Sequence, residues 1–295
     1  MSSILMGVGA SPGRALGPAH LMEWEIPLVG HRTIEPAEVD AEVDRFGVAR
    51  ARALEEVARL QAETTQRIGS FEGKVFESQA MMIEDPDLVD GTISYIRNNY
   101  ICAERAFEWL TLEMRIRVQE SAHAMLADRM ADLRDLRIRV LSQLLGHGDP
   151  SAVVISPEEP VILVGSELPP SIAARLEPEH VLGVVTSGGS RGSHGVILAR
   201  ALGIPAVVGV GEALRDVSEG TRMLVDGRSG EIRINPTQPE VEGYHRATAQ
   251  ATRRREMLRS VAARPTATTD GVPAIVQANL DLPHEAAEAL SLIHI

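Results

Sequence analysis

A long helical block interrupts a chain whose flanking segments have the pattern of a β-sheet domain. Between Pro36 and about Gly146, apolar residues recur at three- and four-residue spacing with acids and arginines between them, as in Val39, Val43 and Phe46. This is the period of an amphipathic helix that buries one face. A block of this length needs several helices, so the sequence predicts a helical bundle.

Strand-length apolar runs lie on both sides of the block. Residues 4–22 mix apolar side chains with glycines and prolines, which is typical of short strands separated by turns. After a turn-forming cluster at 146–151, runs such as 161–165 and 181–186 alternate with helical segments, as in an α/β layer domain. Because we expect the early strands to join the later sheet, the sequence predicts an α/β domain with an inserted all-α helical bundle.

These changes of pattern set the predicted domain boundaries. The α/β domain takes residues 1–35 and 147–236, and the inserted bundle takes residues 36–146. A polar, arginine-rich helix over residues 237–264 is expected to lead out of the sheet domain as a linker.

Composition limits what the chain can bind. With 295 residues, 44% of them hydrophobic and 24% charged, the chain can bury two ordinary cores. The formal net charge of -12 would repel nucleic acid and anionic membranes, so we expect neither as a partner and expect attraction to a basic protein. A single cysteine, Cys102, excludes an intramolecular disulfide. The sequence shows no cationic leader or membrane-length apolar run, so we expect a cytoplasmic protein.

The most informative segment runs from Thr186 to Gly211, where a strand-like run ends in a glycine-rich loop that leads directly into a helix. His194 stands at that junction. A glycine-rich loop lets backbone amides converge, and a helix N-terminus adds unpaired N–H groups and a partial positive charge. Imidazole suits a phosphoryl relay because one nitrogen can act as nucleophile while a hydrogen bond fixes the other. His194 is therefore the candidate catalytic residue.

Neighbouring residues are candidates for holding a phosphate. Gly192, Ser193 and Gly195 lie in the loop and the helix start, and Ser193 could also cap the helix. Arg191 and Arg200 could offset phosphate charge, with Arg191 the weaker candidate. The residues alone leave a second interpretation open, because a lone histidine near a helix start is often a cap or a surface residue. Around this histidine no cysteine, second histidine or acid lies at ligand spacing, so no metal site is expected.

The segment around His194 resembles a known family of phosphohistidine proteins. It reads GGSRGSHGVILARALGIPAVVG at 188–209, similar to the swivelling domain of enzyme I of the bacterial phosphotransferase system, pyruvate phosphate dikinase and phosphoenolpyruvate synthase. Three further stretches favour enzyme I: GVGASPGRALGPA at 7–19, FESQAMMIEDPDL at 76–88 and DRMADLRDLRIRVLSQLLG at 128–146. The resemblance implies an α/β phosphohistidine swivelling domain with an inserted helical bundle, the N-terminal half of an enzyme I.

This resemblance also implies an activity and partners. Enzyme I, a phosphoenolpyruvate-protein phosphotransferase, passes a phosphoryl group from phosphoenolpyruvate to a histidine, which would be His194, and then to the phosphocarrier protein HPr. In the family a C-terminal barrel binds phosphoenolpyruvate and Mg²⁺ and makes the dimer, and residues 265–295 resemble its truncated start. For this chain we therefore expect no cofactor, a monomer, and phosphoryl exchange with phospho-HPr alone.

Enzyme I binds HPr with acids and apolar residues of its helical domain. By resemblance, the candidate partner-binding residues here are Glu77, Met81, Met82, Glu84 and Asp85. Two plainer interpretations stay open, because methionines often pack between helices and acids usually form a solvated face.

Several positions depart from the family pattern. Gly192 stands where the family has a threonine, so the loop is expected to hold phosphate differently. Pro169 replaces a threonine that hydrogen-bonds the active histidine in the family; it has no hydroxyl to donate, and Ser171 is the candidate substitute. Gln79 replaces a common histidine of the helical block, which weakens the case for a relay through that position.

Two other functions are kept as alternatives. The chain could be the histidine domain of a pyruvate phosphate dikinase-like enzyme, which would need a separate nucleotide-binding partner. It could also be a non-catalytic fragment that docks HPr without turnover, given Gly192 and Pro169. Binding of ATP would favour the first alternative, and docking without phosphorylation of His194 would favour the second.

Overall fold

The structure, a computed structural model, describes residues 2–22, 26–120, 124–148, 159–262 and 272. The early strands are β1 (Ser3–Met6), β2 (Val8–Ser11) and β3 (Arg14–Leu21). The helices that follow are α1 (Val39–Arg67), α2 (Ser70–Gly73), α3 (Val75–Glu84), α4 (Pro86–Asn99), α5 (Ala103–Glu120) and α6 (Ala124–Leu145). The later elements are β4 (Val161–Gly165), α7 (Pro170–Ala173), β5 (Val181–Thr186), α8 (His194–Ala201), β6 (Ala206–Val208), β7 (Arg222–Asp226), β8 (Glu231–Ile234) and α9 (Gln238–Ala262).

The long helix α1 organises the bundle. One of its faces is buried and carries Phe46, Ala49, Ala53, Val57 and Leu60, the spacing that predicted an amphipathic helix. Helices α3 and α6 pack against this helix. Burial of one apolar stripe on neighbouring helices thus holds the inserted domain together.

Local signals set the ends of α4. The Asp85 side chain accepts a hydrogen bond from the Asp87 amide at 2.8 Å, so it caps the helix start. Pro86 occupies the first turn, where its missing N–H costs nothing. At the other end Tyr100 adopts a left-handed conformation with φ of 51° and ends the helix.

Within the described residues eight strands form one sheet in the order β1-β8-β7-β3-β4-β5-β6-β2. Pairing is parallel from β3 through β6 and antiparallel elsewhere. Strands β1 and β2 stand at opposite ends of this order although Gly7 alone separates them. The sheet must therefore curl until its two ends meet. The Gly7 amide donates to the Gly230 carbonyl at 2.9 Å, next to the Met6–Glu231 pair of β1 and β8.

The centre of the sheet is buried on both faces. In β4, Val161 and Leu163 join an apolar cluster that continues through α7 and α8 into the bundle, whereas Ile162 and Val164 join a second cluster on the other face. Burial on both faces explains why β4 is an uninterrupted apolar run.

The predicted fold class is confirmed: an α/β domain carries an inserted all-α bundle. The domain boundaries stay predictions, and apart from Val272 the segment 265–295 lies outside the described residues. In the part of the chain that is described, no helix is both long enough and apolar enough to cross a membrane.

Candidate functional site

His194 is the first residue of α8, and seven residues separate it from the end of β5 at Thr186. Ser193 is the N-cap residue by backbone position, with φ of -62° and ψ of 143°. The first intrahelical bond runs from the Ile197 amide to the Ser193 carbonyl at 3.0 Å. The helix amides that precede this first bond have no acceptor within the helix. The histidine therefore lies in the N–H-rich first turn, at the positive end of the helix dipole.

A buried carboxylate of the helical domain holds the imidazole. Nδ1 of His194 lies 3.1 Å from Oδ1 and 2.9 Å from Oδ2 of Asp132, a residue of α6. An ionised carboxylate only accepts hydrogen bonds, so Nδ1 carries the proton and Nε2 carries the lone pair. Asp132 is 2% exposed, whereas a third of the His194 side chain (33%) is accessible. The arrangement fixes one nitrogen and presents the imidazole to a reacting group.

Asp132 is the site residue that the sequence analysis missed. It lies 62 residues before the histidine and in the other domain, and an acid on an amphipathic helix ordinarily faces solvent. The available signal was its place in the stretch 128–146 that supports the family resemblance. The suggestion that Ser171 replaces the missing family threonine was wrong, because the Ser171 hydroxyl donates to Asp135 at 2.7 Å.

One helical turn beyond Asp132, a second buried aspartate joins three elements. Asp135 of α6 accepts hydrogen bonds from Gln79 Nε2 of α3 at 2.9 Å and from the amide and hydroxyl of Ser171 of α7 at 3.1 and 2.7 Å. Arg139 Nη2 lies 3.8 Å from the same carboxylate. Gln79, Asp135 and Ser171 are at most 1% exposed. This cluster fixes the helix that carries Asp132 against both domains.

The two predicted phosphate-binding arginines hold the loop onto an edge strand. Arg191 Nε donates to the Gly9 carbonyl of β2 at 2.7 Å. Arg200 donates to the Ala10 carbonyl through Nε at 3.1 Å and Nη2 at 2.6 Å, and Nη2 also reaches the Arg191 carbonyl at 3.2 Å. In this arrangement both guanidinium groups position the loop, and a phosphate contact by either stays a prediction.

The loop residues also bond among themselves. The Ser193 hydroxyl donates to the Ser190 carbonyl at 3.1 Å and makes no side-chain cap, so the expected capping bond is absent from this described helix start. The Gly192 amide donates to Ser190 Oγ at 3.0 Å. At Gly195 a Cβ atom would lie 2.1 Å from the Leu168 carbonyl oxygen, so only glycine lets α8 approach that segment. Phosphate binding by Gly192, Ser193 and Gly195 stays a prediction.

The five candidate partner-binding residues divide into three groups. Glu77, Met81 and Glu84 are exposed and stand at i, i+4 and i+7 of α3, so they share one face, which we call the α3 stripe. Met81 is 66% exposed. Met82 is half-buried and packs against the core, and Asp85 caps α4. The packing interpretation therefore fits Met82, and the α3 stripe keeps the predicted docking role.

Comparison with known proteins gives the class. The family described as PEP-utilising enzyme, N-terminal, matches residues 6–129, and the family described as PEP-utilising enzyme, mobile domain, matches residues 157–230. The second range contains His194 and the strands around it. The chain thus carries the N-terminal and mobile domains of the PEP-utilising enzyme family, and His194 lies within the mobile-domain match.

Individual relatives narrow the class. The phosphoenolpyruvate-protein phosphotransferase of Staphylococcus aureus is 30% identical over 285 residues, 97% of this chain and 49% of the relative. A multiphosphoryl transfer protein of Xanthomonas campestris pv. campestris is 34% identical over 291 residues, 97% of this chain and 34% of that protein. An NMR solution structure of Enzyme I matches with a TM-score of 0.62 and 31% identity, over 84% of this chain and 99% of that chain.

The chain belongs to the enzyme I family, as its sequence motifs predicted. It spans about half the length of the curated phosphotransferases it matches.

Proposed function

We propose that the chain carries a phosphoryl group on Nε2 of His194 and exchanges it with HPr. The observation that carries this proposal is the His194–Asp132 pair at the first turn of α8. The carboxylate keeps the proton on Nδ1, so the nucleophilic lone pair lies on Nε2. The partly exposed imidazole lies beside helix amides that attract an anion.

The proposed transfer is an in-line displacement. Nε2 of His194 attacks phosphorus, the bond from phosphorus to the donor histidine nitrogen breaks, and its electron pair returns to that nitrogen. The phosphorylated imidazole retains the proton on Nδ1 and becomes cationic. Asp132 offsets this developing charge from a buried position, where the attraction is stronger than in water.

The α3 stripe is the proposed HPr-docking surface. Its two acids flank exposed Met81, and the chain as a whole carries a formal net charge of -12, which favours a basic partner face. The same helix is also linked to the catalytic pair through one intermediate residue. Gln79, on the opposite face of α3, donates to Asp135, which lies one turn from Asp132 on α6. A partner bound to α3 would therefore lie against the element that supports the catalytic pair.

The remaining parts of the activity follow from the family and are proposals here. Phosphoenolpyruvate would act through a part of the longer relatives that lies outside the stretch matched by this chain. Mg²⁺ is expected with that part; the described residues offer no cluster of three metal-ligating side chains, and the proposed exchange uses no metal ion. The cytoplasm is the proposed compartment, as the single cysteine and the sequence pattern lead us to expect.

The test is phosphoryl transfer from phospho-HPr. The purified chain is mixed with phospho-HPr, and intact mass at neutral pH counts phosphoryl groups on wild type, His194→Gln and Met81→Ala. We expect one acid-labile phosphoryl group on wild type and none on His194→Gln. Met81→Ala retains the catalytic pair and should become labelled more slowly at low HPr concentration, with recovery at high concentration.

Two outcomes would contradict the proposal. Labelling of His194→Gln would place the acceptor at one of the other eight histidines or at a different residue type. Binding of HPr without any label on wild type would support the non-catalytic docking alternative.

A further inference from the structure

A cavity of about 390 Å³ lies between the two domains, and its lining includes the apolar residues Ile26 and Leu133. Its walls come from α5, through Thr111 and Arg115, from α6, through Arg134 and Arg137, and from the segment after β4, through Glu167. Cavities of a few hundred Å³ are the size that small molecules occupy. The cavity is separate from the α8 loop residues discussed above as phosphate-binding candidates.

The described lining of this cavity carries more positive than negative charge. Three guanidinium groups face one carboxylate, that of Glu167. Arg134 donates to the neutral Ser166 hydroxyl at 2.7 Å. Arg137 reaches Glu108 at 3.3 Å, but Glu108 is shared with Arg105 at a shorter 2.6 Å. Counted by residue, the described lining thus holds three positively charged side chains and one negatively charged side chain.

Arg137 is the most constrained of the three arginines. It is 8% exposed, and its Nε is buried with no hydrogen-bond partner among the described residues. Burial lowers the pKa of Arg137, and repulsion from Arg115 and Arg134 works in the same direction against the attraction of Glu108. A buried donor without an acceptor costs free energy, and the same side chain also lines the cavity.

The carboxyl group of Glu167 is also affected by burial and by neighbouring charges. Burial raises the pKa of its carboxyl, opposed by the positive charge of Arg134 and reinforced by the negative charge of Asp132. The cavity therefore lies within electrostatic reach of the aspartate that holds His194. Since Asp132 and His194 come from different domains, the charge of an anion bound here would act on the contact between those domains.

We propose that this cavity binds a small free oxyanion of the phosphate class. Guanidinium groups present planar pairs of N–H donors that match the oxygens of phosphate, and several of them together bind it more strongly than one. The residues that line the cavity belong to both domains, so an occupant would bridge the two domains. Its binding would therefore favour the arrangement in which the domains are in contact.

The test is calorimetric titration of the full chain with inorganic phosphate at constant ionic strength. The critical comparison is Arg115→Gln with Arg117→Gln. Both arginines are exposed and lie on α5, but Arg117 pairs with Glu113 and is absent from the described cavity lining. Each substitution removes one positive charge, so a general charge effect would be equal in the two variants.

We expect saturable binding to wild type, unchanged binding to Arg117→Gln, and about tenfold weaker binding to Arg115→Gln, the usual effect of losing one charge-assisted contact. Glu167→Gln should bind phosphate more tightly than wild type because it removes the opposing carboxylate. The proposal is overturned if wild type shows no saturable binding or if both arginine variants weaken equally. Phosphate bound at the α8 loop would survive Arg115→Gln, and that result also counts against the cavity.

Discussion

Replacing Asp132 with asparagine removes the charge behind His194 while keeping the shape of the side chain. In the native protein the carboxylate lies 2.9 Å from Nδ1 and is 2% exposed. Asparagine can offer an amide N–H to Nδ1, which would move the imidazole proton to Nε2 and block the proposed nucleophile. It also leaves the cationic phosphohistidine without a counter-charge. We therefore expect Asp132→Asn to slow phosphoryl transfer.

The expected magnitude follows from the bond that is lost. A hydrogen bond to a charged group contributes about 1.5–3 kcal/mol. Each 1.36 kcal/mol corresponds to roughly a tenfold change in rate. If the bond acts fully in the transition state, Asp132→Asn slows transfer by about 10- to 100-fold. The phosphorylated fraction at equilibrium should fall as well, because the same bond stabilises the product.

The assay is rapid-quench transfer from phospho-HPr over a range of HPr concentrations. A change in the maximal rate at saturating HPr isolates the chemical step from docking. Asp216→Asn makes the same substitution at an exposed aspartate away from the pair and should transfer at the wild-type rate. Urea unfolding of both variants checks that they remain folded. A wild-type maximal rate for Asp132→Asn would refute the role assigned to the carboxylate.

Two further predictions concern stability. Gly195→Ala should lower the free energy of unfolding by about 1–3 kcal/mol, because its Cβ would meet the Leu168 carbonyl oxygen at 2.1 Å. Gly47→Ala, at an open position within α1, should instead raise the free energy of unfolding by up to about 1 kcal/mol. Urea midpoints of the two variants that move in the same direction would contradict this prediction. Burial alone would raise the pKa of Glu42, but hydrogen bonds from Arg45, the Ala103 amide and Arg32 hold it below its ordinary value of 4.5. The ionised Glu42 side chain thus stabilises the fold above pH 4.5, and this stabilisation is lost as the pH falls below 4.5. Urea midpoints measured from about pH 6 to about pH 3 should therefore vary less in Glu42→Gln than in wild type. Parallel pH profiles of the two proteins would show that Glu42 does not contribute.

The fold class could be predicted because its signals are local. The helical period of α1 and the apolar run of β4 each follow from one contiguous stretch of sequence. The strand order is different, since β1 and β2 adjoin in sequence yet lie at opposite ends of the sheet. That arrangement depends on how the sheet curls, which no single segment encodes.

In the candidate site, too, residues within a contiguous motif could be predicted, whereas contacts between distant segments could not. His194 could be found from its glycine-rich loop and helix start, a contiguous motif. Asp132 could not, because its role exists only once the bundle has packed against α8. Arg191 and Arg200 carry the charge that phosphate would need, but the sequence does not show that backbone carbonyls of β2 take their hydrogen bonds.

The most direct test of the catalytic pair identifies the phosphorylated atom. The chain is labelled with ¹⁵N-histidine, and long-range proton–nitrogen spectra are recorded before and after addition of phospho-HPr, with His194→Gln used to assign the signals. The proposed mechanism predicts a proton on Nδ1 of His194 in the free protein and phosphorus on Nε2 after transfer. Phosphorus on Nδ1, or on any other histidine, would contradict it.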